Sequence, residues 1–594
     1  MSGEGPYLQR VEMRGGTWFA RTLVIPASGQ AGVQQTVADE AHGAEALVNR
    51  GNLLRQQRRY DQALTSYERA IARDPRHAGA YSNRGLVLDA LGRSIEAVAS
   101  YDRAIALDPN SALALTNRGN ALAKLGRLAE ALASHDKALA LAPASAEAWH
   151  NHATALLELQ QPEASIASSD RAIALDPQAA EPWFNRGQAL DILGRVGDAL
   201  ASFDRAVALD PRHAGVLVNR GNVLMKLDRM DDAVASYDQA LAVEPNSATA
   251  WRNRGIACLA LGRFADAIGG FERSLALASD DASVHRHLGI ARLTVGDLPR
   301  GFAAYEWRWK TPGFRRRFTQ PPWSGDADLA GKTILLHGEQ GLGDAIQFAR
   351  YAPLAARRGA RVIIEVVPAL AELMATLPDI ATVVTIGSAM PEFDLYCALM
   401  SMPHAFGTTL ATIPAAVPYL SAAPGRIAAW RDRLAAVPAP RIGLAWAGNP
   451  QHTNDAHRSI ALSALLPALA DAPASIVTLQ KELRPGDAEL LAQHPGITQL
   501  GDELITFDDT AAAIAALDLV ITVDTSIAHL AGALGKPVWI LLPFVPDWRW
   551  LLDRDDSPWY PTARLFRQSR RGDWADVIAR VGAAIGKLKD QRGG

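Results

Sequence analysis

Cysteine is almost missing from this chain. Cys258 and Cys397 are the only two among 594 residues, and they fall in stretches of different character. A disulfide framework or a cysteine-built zinc site is therefore excluded, and a reducing compartment fits. Long apolar runs are missing too: none reaches the roughly 18 to 20 residues that a membrane-spanning helix needs. Nor does one sign of charge dominate. Lysine and arginine number 60 against 63 acids, for a net charge of −3, which gives no electrostatic case for nucleic acid or an anionic membrane as partner. The opening segment "MSGEGPYLQRVEMRGGTWFARTLVIPASGQA" has an acid early and Arg21 inside its one apolar stretch, and makes a poor signal peptide. Residues 1–43 read as a flexible leader, and the protein as cytoplasmic with no transmembrane segment. What remains is ordinary globular composition, over a length that exceeds what one hydrophobic core serves.

Repetition comes next. Pro75, Pro109, Pro143, Pro177, Pro211 and Pro245 stand 34 residues apart. Gly51, Gly85, Gly119, Gly187, Gly221, Gly255 and Gly289 keep the same step, with Ala153 in the gap. Small and aromatic positions recur with them, at Ala63/Ala97/Ala131 and Tyr67/Tyr101/Phe203/Tyr237. Each unit predicts two amphipathic helices, with the glycine where they approach and the proline at the turn into the next unit. One unit cannot bury its apolar face alone, so neighbours must stack into an α-solenoid with a concave groove. The pattern resembles the tetratricopeptide repeat. Seven full units run from about 44 to 281, and a degenerate eighth ends in "GFAAYEWRWK", the array spanning 44–315. The resemblance implies a superhelix whose groove takes a polypeptide or a partner protein.

Two further columns keep the step. Asn49, Asn83, Asn117, Asn151, Asn185, Asn219 and Asn253 put asparagine, a mediocre helix former, at one helical position throughout. They form either a ladder of amides that binds an acceptor backbone through donor and acceptor at once, or a set of bonds between adjacent helices. The protein O-GlcNAc transferases, which this half resembles, carry such a ladder. Arg50, Arg84, Arg118, Arg186, Arg220 and Arg254 face a second column, Glu68, Asp102, Asp136, Asp170, Asp204, Asp238 and Glu272. These predict ion pairs that hold the stack in register, weakened in the fourth unit, where His152 replaces arginine.

After a linker at 316–331 the period vanishes and strand-like runs alternate with helix-like ones. "KTILLHG" and "ARVIIEV" begin one series, at 332–435; "RIGLAWAG", "ASIVTLQ", "DLVITVD" and "PVWILLP" make a second, at 436–590. Such βα alternation implies parallel sheets covered by helices, here two Rossmann-like lobes with a cleft between them. Three polar segments follow strands, where ligands bind in such sheets. The first is "GEQGLGDAIQFARY", with Gly338, Gly341, Gly343 and Asp344. The second is "AWAGNPQHTNDAHRSI", with His452, His457 and Arg458. The third is "TVDTSIAHLAGALGKPVWILLP", with Asp524, Thr525, Ser526 and His529 at a helix start suited to an anion.

The glycine turn ending in "GD" and the run "VDTSIAHLAGALGKPVWIL" together resemble the heptosyltransferase-type glycosyltransferases, family 9-like enzymes of the two-lobed GT-B fold. The resemblance implies inverting, metal-independent transfer from a nucleotide-diphosphate sugar, with no cofactor. Asp344 matches the general base of that family. Gly341, Gly343, Asp524, Thr525, Ser526 and His529 match the donor site, and Arg458 or Lys481 would supply fixed positive charge. Asp344 and Asp524 can instead be plain helix caps, and His529 a packed histidine. The acids of "LLDRDDSPWYP" lack a histidine or second acid pair to make a metal site, and Trp548, Trp550, Trp559 and Tyr560 read as packing or lid residues. The first lobe is short for an acceptor-binding lobe, so the repeat groove would present a polypeptide acceptor instead. The rivals are a scaffold with a degenerate transferase half, and a transferase acting on a glycan with the repeats docking a partner.

Overall fold

The structure, a computed structural model, describes residues 10–14, 17–20, 43–314, 317–339, 341–451, 454–470 and 472–588. The expected leader falls outside these residues apart from Gly43 and an antiparallel pair, β1 (Arg10–Arg14) and β2 (Thr17–Ala20). The chain divides into two compact units, Met1–Asn253 and Arg254–Gly594.

The first unit is built from helix pairs, beginning Ala44–Gln56 with Tyr60–Arg73 and Ala78–Ala90 with Ser94–Leu107, and continuing through Ala214–Lys226 with Met230–Val243. The glycine column has a direct steric cause. A Cβ at Gly51 would stand 2.5 Å from the Tyr67 ring, and at Gly85, Gly187 and Gly221 it would stand 2.6, 2.6 and 2.5 Å from Tyr101, Phe203 and Tyr237. An aromatic of each second helix thus presses on bare backbone of the first. In the third pair His135 takes the aromatic place over Gly119. The fourth pair changes both partners: Ala153 supplies the methyl, Ser169 vacates the ring space, and Ser165 Oγ donates to the Ala153 carbonyl at 2.9 Å. Gly85→Ala is accordingly expected to cost about 1–3 kcal/mol by overpacking. Ala153→Gly should cost only about 1 kcal/mol of helix propensity, and chemical denaturation of the two variants measures the contrast.

The arginine column bridges neighbours. Arg118 donates to Asp102 on the preceding pair at 2.6 Å and to Ser134 on its own pair at 2.7 Å. Arg186 repeats this with Asp170 and Ser202, both at 2.8 Å, and Arg220 meets Asp204 at 2.6 Å. The expected weak point keeps the same geometry: His152 reaches Ser168 at 2.9 Å and Asp136 at 3.0 Å. The acids are about half exposed, so each pair is worth at most about 1 kcal/mol and sets register more than stability.

The second unit opens with the last helix pairs, ending in Leu298–Tyr305 and a 3-10 turn, Glu306–Lys310. Two parallel sheets follow. β3 (Thr333–His337), β4 (Arg361–Val366), β5 (Thr382–Thr385) and β6 (Leu395–Ala398) lie in the order β5-β4-β3-β6. β7 (Arg441–Ala445), β8 (Ser475–Thr478), β9 (Thr498–Gln499), β10 (Leu519–Val523), β11 (Val538–Leu542) and β12 (Ala563–Arg567) lie in the order β12-β11-β10-β7-β8-β9. Every residue of β10 and β11 is buried, as a strand covered by helices on both faces requires. Each sheet starts in its middle, runs outward and then restarts on the other side. The topological switch points, where open α/β sheets bind ligands, therefore lie between β3 and β6 and between β7 and β10. The stretch read as a linker is tied to β6, Trp323 N donating to Tyr396 O at 2.7 Å. Cys258 and Cys397 are buried and form no disulfide with each other.

Candidate functional site

After β3 the glycine turn leads into the helix Leu342–Phe348. Asp344, in its first turn, accepts from Gly341 N–H through Oδ2 at 3.0 Å. Its other oxygen takes a hydrogen bond from Arg549. Gly343 explains how the turn is used: a Cβ there would stand 2.8 Å from His529 Cδ2 and 3.6 Å from Ser526 Cα. The missing side chain lets this helix lie against Ser526–Ala533, so the two motifs that are almost 200 residues apart in sequence meet across the two lobes.

In the second lobe Arg458 follows β7 and Asp524 follows β10, so they flank that sheet's switch point. The Arg458 guanidinium donates to the Asp524 carbonyl at 3.1 Å and packs on Gly448, where a Cβ would fall 2.7 Å from Nη2. Burial, with the Asp547 carboxylate, pushes the Asp524 side chain up to about 7, against the pull of Trp550, Arg549 and Arg458. Thr525 caps the helix, accepting from Ile527 N at 3.3 Å, and Ser526 beside it is half-buried. His529 is buried, bonds Tyr560 OH through Nδ1 at 3.0 Å and stacks on Trp550 at 5.4 Å. Burial and then Arg549, Arg350 and Arg458 hold it well below the ordinary histidine range, hence neutral. Lys481 follows β8, one strand further out; it is exposed and donates to Ile505 O at 3.3 Å. His452 lies outside the described residues, and His457 is exposed.

Two arginines escaped the sequence reading. Arg549, in the loop after β11, donates to Gln347 Oε1 at 2.7 Å and Asp547 Oδ1 at 2.8 Å besides Asp344, and lies 4.4 Å over the Trp548 ring. Arg350 reaches from the first lobe to Trp559 O at 2.6 Å and to Tyr419 OH at 3.0 Å. Their sequence signal is the "DWRW" cluster and an arginine at the buried end of "AIQFARY", where a charge needs a built-in partner. Trp548, Trp550, Trp559 and Tyr560 are buried packing. Among the described residues no group of three or more His, Cys, Asp or Glu is placed to hold a metal ion, and no helix is long and apolar enough to cross a membrane.

The asparagine column divides. Asn83 donates to Asn52 at 2.9 Å, Asn185 to Thr154 at 2.8 Å and Asn253 to Asn222 at 2.8 Å, each knitting a first helix to the preceding one. Asn219 turns to its own Gly215 carbonyl at 2.8 Å. In the middle of the array Asn117 Nδ2 and both amide atoms of Asn151 are buried with no hydrogen-bond partner among the described residues.

Models of the tetratricopeptide repeat match residues 48–112, 150–214 and 218–282, and a second such model matches 100–133. Protein FlbA of Caulobacter vibrioides (strain ATCC 19089 / CIP 103742 / CB 15) is 29% identical over 306 residues, 47% of this chain and 49% of FlbA. The chain thus spans about half the length of that relative. Among solved structures, YrrB, a TPR protein with an unusual peptide-binding site, is 27% identical over 31% of this chain and 95% of its own, with a TM-score of 0.27. PilW, a type IV pilus biogenesis factor, is 25% identical over 35% of this chain and 96% of its own, with a TM-score of 0.33. The chain carries tetratricopeptide repeats, followed by a region of parallel α/β sheets.

Proposed function

We propose that the α/β region is a glycosyltransferase of GT-B type, moving a sugar from a nucleotide-diphosphate sugar to a polypeptide that the repeats present. The observation that supports this best is the contact of two strand-end motifs: Gly343 of the first lobe seated against Ser526 and His529 of the second. That juxtaposition puts the Asp344 carboxylate, bonded to Arg549, close to a helix start, while Arg458 bonds the Asp524 carbonyl of the second lobe. In a metal-free site these are the groups a leaving diphosphate needs. The donor would occupy the β7/β10 switch point beside Arg458, Asp524, Thr525 and Ser526. Attack from the opposite face of the sugar inverts its configuration, with a carboxylate taking the acceptor hydroxyl proton. Asp344 takes this role once its oxygen is released from Arg549, and Asp524, titrating near neutrality, is the second group suited to it. In this reading the repeats select the polypeptide and the two-lobed region supplies the chemistry.

A scaffold without catalysis is the second reading, favoured by one observation: both oxygens of Asp344 already accept from protein donors. A thermal-shift panel of the full chain with UDP, GDP, ADP and CMP and their sugar conjugates separates the two. Binding to the folded form alone raises the melting temperature. Stabilisation by one nucleotide class, lost in Arg458→Ala and Asp524→Ala, is the expected outcome. A flat panel on folded protein would leave the scaffold.

A further inference from the structure

The eighth helix pair, Ala282–Thr294 with Leu298–Tyr305, belongs to the same compact unit as the two lobes. It packs differently from the seventh pair, where a Cβ at Gly255 would stand 2.6 Å from the Phe271 ring. In the eighth pair a Cβ at Gly289 would meet backbone, Tyr305 N at 2.9 Å and Gly301 O at 3.0 Å. Backbones this close leave no space for a ring between them. The rings of the second helix, Phe302 and Tyr305, join the core of the lobes instead. The turn that follows is anchored on the first lobe. Arg308, which is wholly buried, donates to Ser401 Oγ at 2.7 Å and to Glu339 at 2.8 Å, besides Glu306 of its own turn at 2.5 Å.

Phe302 is buried and meets the Trp548 indole edge to face, with centroids 5.5 Å apart. Phe348 of the first lobe stacks on the same indole at 6.2 Å, and Trp559 of the second meets it edge-on at 6.3 Å. The repeats and each lobe thus give Trp548 one ring apiece. On this cluster rests the guanidinium of Arg549, 4.4 Å over Trp548 and 5.7 Å over Phe348. A ring offers a cation its face and a neighbouring ring its face or edge, so the indole's tilt sets where the cation lies. Arg549 must reach Asp344, Asp547 and Gln347 at once, and a constellation of this kind tolerates displacements of roughly 0.5 Å.

We propose that Phe302, a residue of the repeat array, is a positioning residue for the lobe site: through the Trp548 indole it sets where Arg549 meets Asp344. The last repeat then does more than present a polypeptide, for it holds the charge that joins the two lobes. The bearing of this on donor binding rests on the transferase reading; its bearing on the lobe contact does not.

Hydrogen exchange of the full chain tests it. Phe302→Leu is expected to lower protection of the helices Leu342–Phe348 and Ser526–Ala533 about tenfold. Phe302→Met, closer in volume but without the ring, carries the same test should the leucine variant fail to fold. Phe271→Leu removes an equally buried ring from the seventh pair and should leave both helices within about twofold of the unaltered chain. A packing role alone would give losses that add, so the double variant with Arg549→Leu decides. There the loss of Phe302 should cost less than about twofold further protection, because its effect passes through a guanidinium already gone. Whichever of UDP, GDP, ADP or CMP stabilises the unaltered chain should bind about tenfold more weakly to Phe302→Leu and unchanged to Phe271→Leu. A panel flat on the unaltered chain sinks the transferase reading and leaves the exchange result to decide the positioning role. Unchanged protection in Phe302→Leu overturns the proposal. So do equal losses in Phe302→Leu and Phe271→Leu, losses that add in full in the double variant, or nucleotide binding that Phe302→Leu leaves intact.

Discussion

Arg549→Leu is expected to destabilise the second unit by about 3 kcal/mol and to abolish any donor-induced rise in melting temperature. The guanidinium is 7% exposed and holds Asp344, Asp547 and Gln347 together. Removing one partner of a buried ion pair costs roughly 3–5 kcal/mol, because the remaining charges keep their desolvation without compensation. Asp344 and Asp547 retain 20% and 36% side-chain exposure, so water can take up part of the loss, and the lower end of that range applies. Arg549→Lys is the discriminating control. It keeps the charge but cannot fork between two carboxylates and an amide, so most of the loss should remain. Chemical denaturation of the full chain, followed by hydrogen exchange in the helices Leu342–Phe348 and Ser526–Ala533, reads the effect. If both helices keep their protection in Arg549→Leu, the guanidinium is not what ties the lobes at this point. The same charge helps hold Asp524 down, so its removal should also move that carboxyl above about 7.

The sequence marks Asp344 and Asp524 and leaves Arg549 unmarked for a physical reason. A carboxylate after a strand and before a helix has a place in a known pattern of chemistry. An arginine between two tryptophans has no period, and only the three-dimensional contact shows which acid it neutralises. The strands divide in the same way. β3, β4, β7, β8, β10 and β11 are apolar runs of four to six residues, long enough to stand out from their neighbours. β9 is two residues and β5 is "TVVT"; each is held by pairing to a longer strand, β8 and β4, rather than by its own pattern. The helix pairs were legible because each repeat solves one packing problem at one spacing. Where a repeat solved it differently, with Ala153 against Ser169, one partner alone looked like an exception. Likewise the asparagine column was visible as a column, but its division was not. Asn83, Asn185 and Asn253 bond Asn52, Thr154 and Asn222, whereas Asn151 and Asn219 make no bond to the polar residues at the same place, Asn120 and Gln188.

His135→Tyr is expected to remove an acid-labile point from the first unit and to raise its stability at neutral pH. His135 occupies the place that Tyr67, Tyr101 and Tyr237 hold in other pairs, with 1% exposure. Burial foremost, with His152 and His150, lowers its pKa to about 4. Between that value and the ordinary 6.5 the unfolded chain binds a proton that the folded chain refuses, so stability falls as pH falls through this window. The difference is worth roughly 3 kcal/mol at its full extent, reached near pH 4 and absent above about 7. A tyrosine does not titrate there. It also meets a waiting acceptor: Tyr67 and Tyr237 donate to Asn52 and Asn222, 15 residues back, at 2.8 and 2.7 Å. The residue 15 before His135 is Asn120, whose buried Oδ1 has no partner among the described residues. A phenol at 135 should therefore add about 1 kcal/mol at pH 7 by satisfying that oxygen. His135→Phe gives the loss of acid sensitivity without the gain. Hydrogen exchange of the helices Ala112–Lys124 and Leu128–Leu141 in the full chain, from pH 4.5 to 7.5 and corrected for intrinsic rates, distinguishes the three. If the unaltered chain and both variants show the same change in protection across that range, the packing of His135 against Gly119 does not set the acid response. The residue would then owe its place to shape alone.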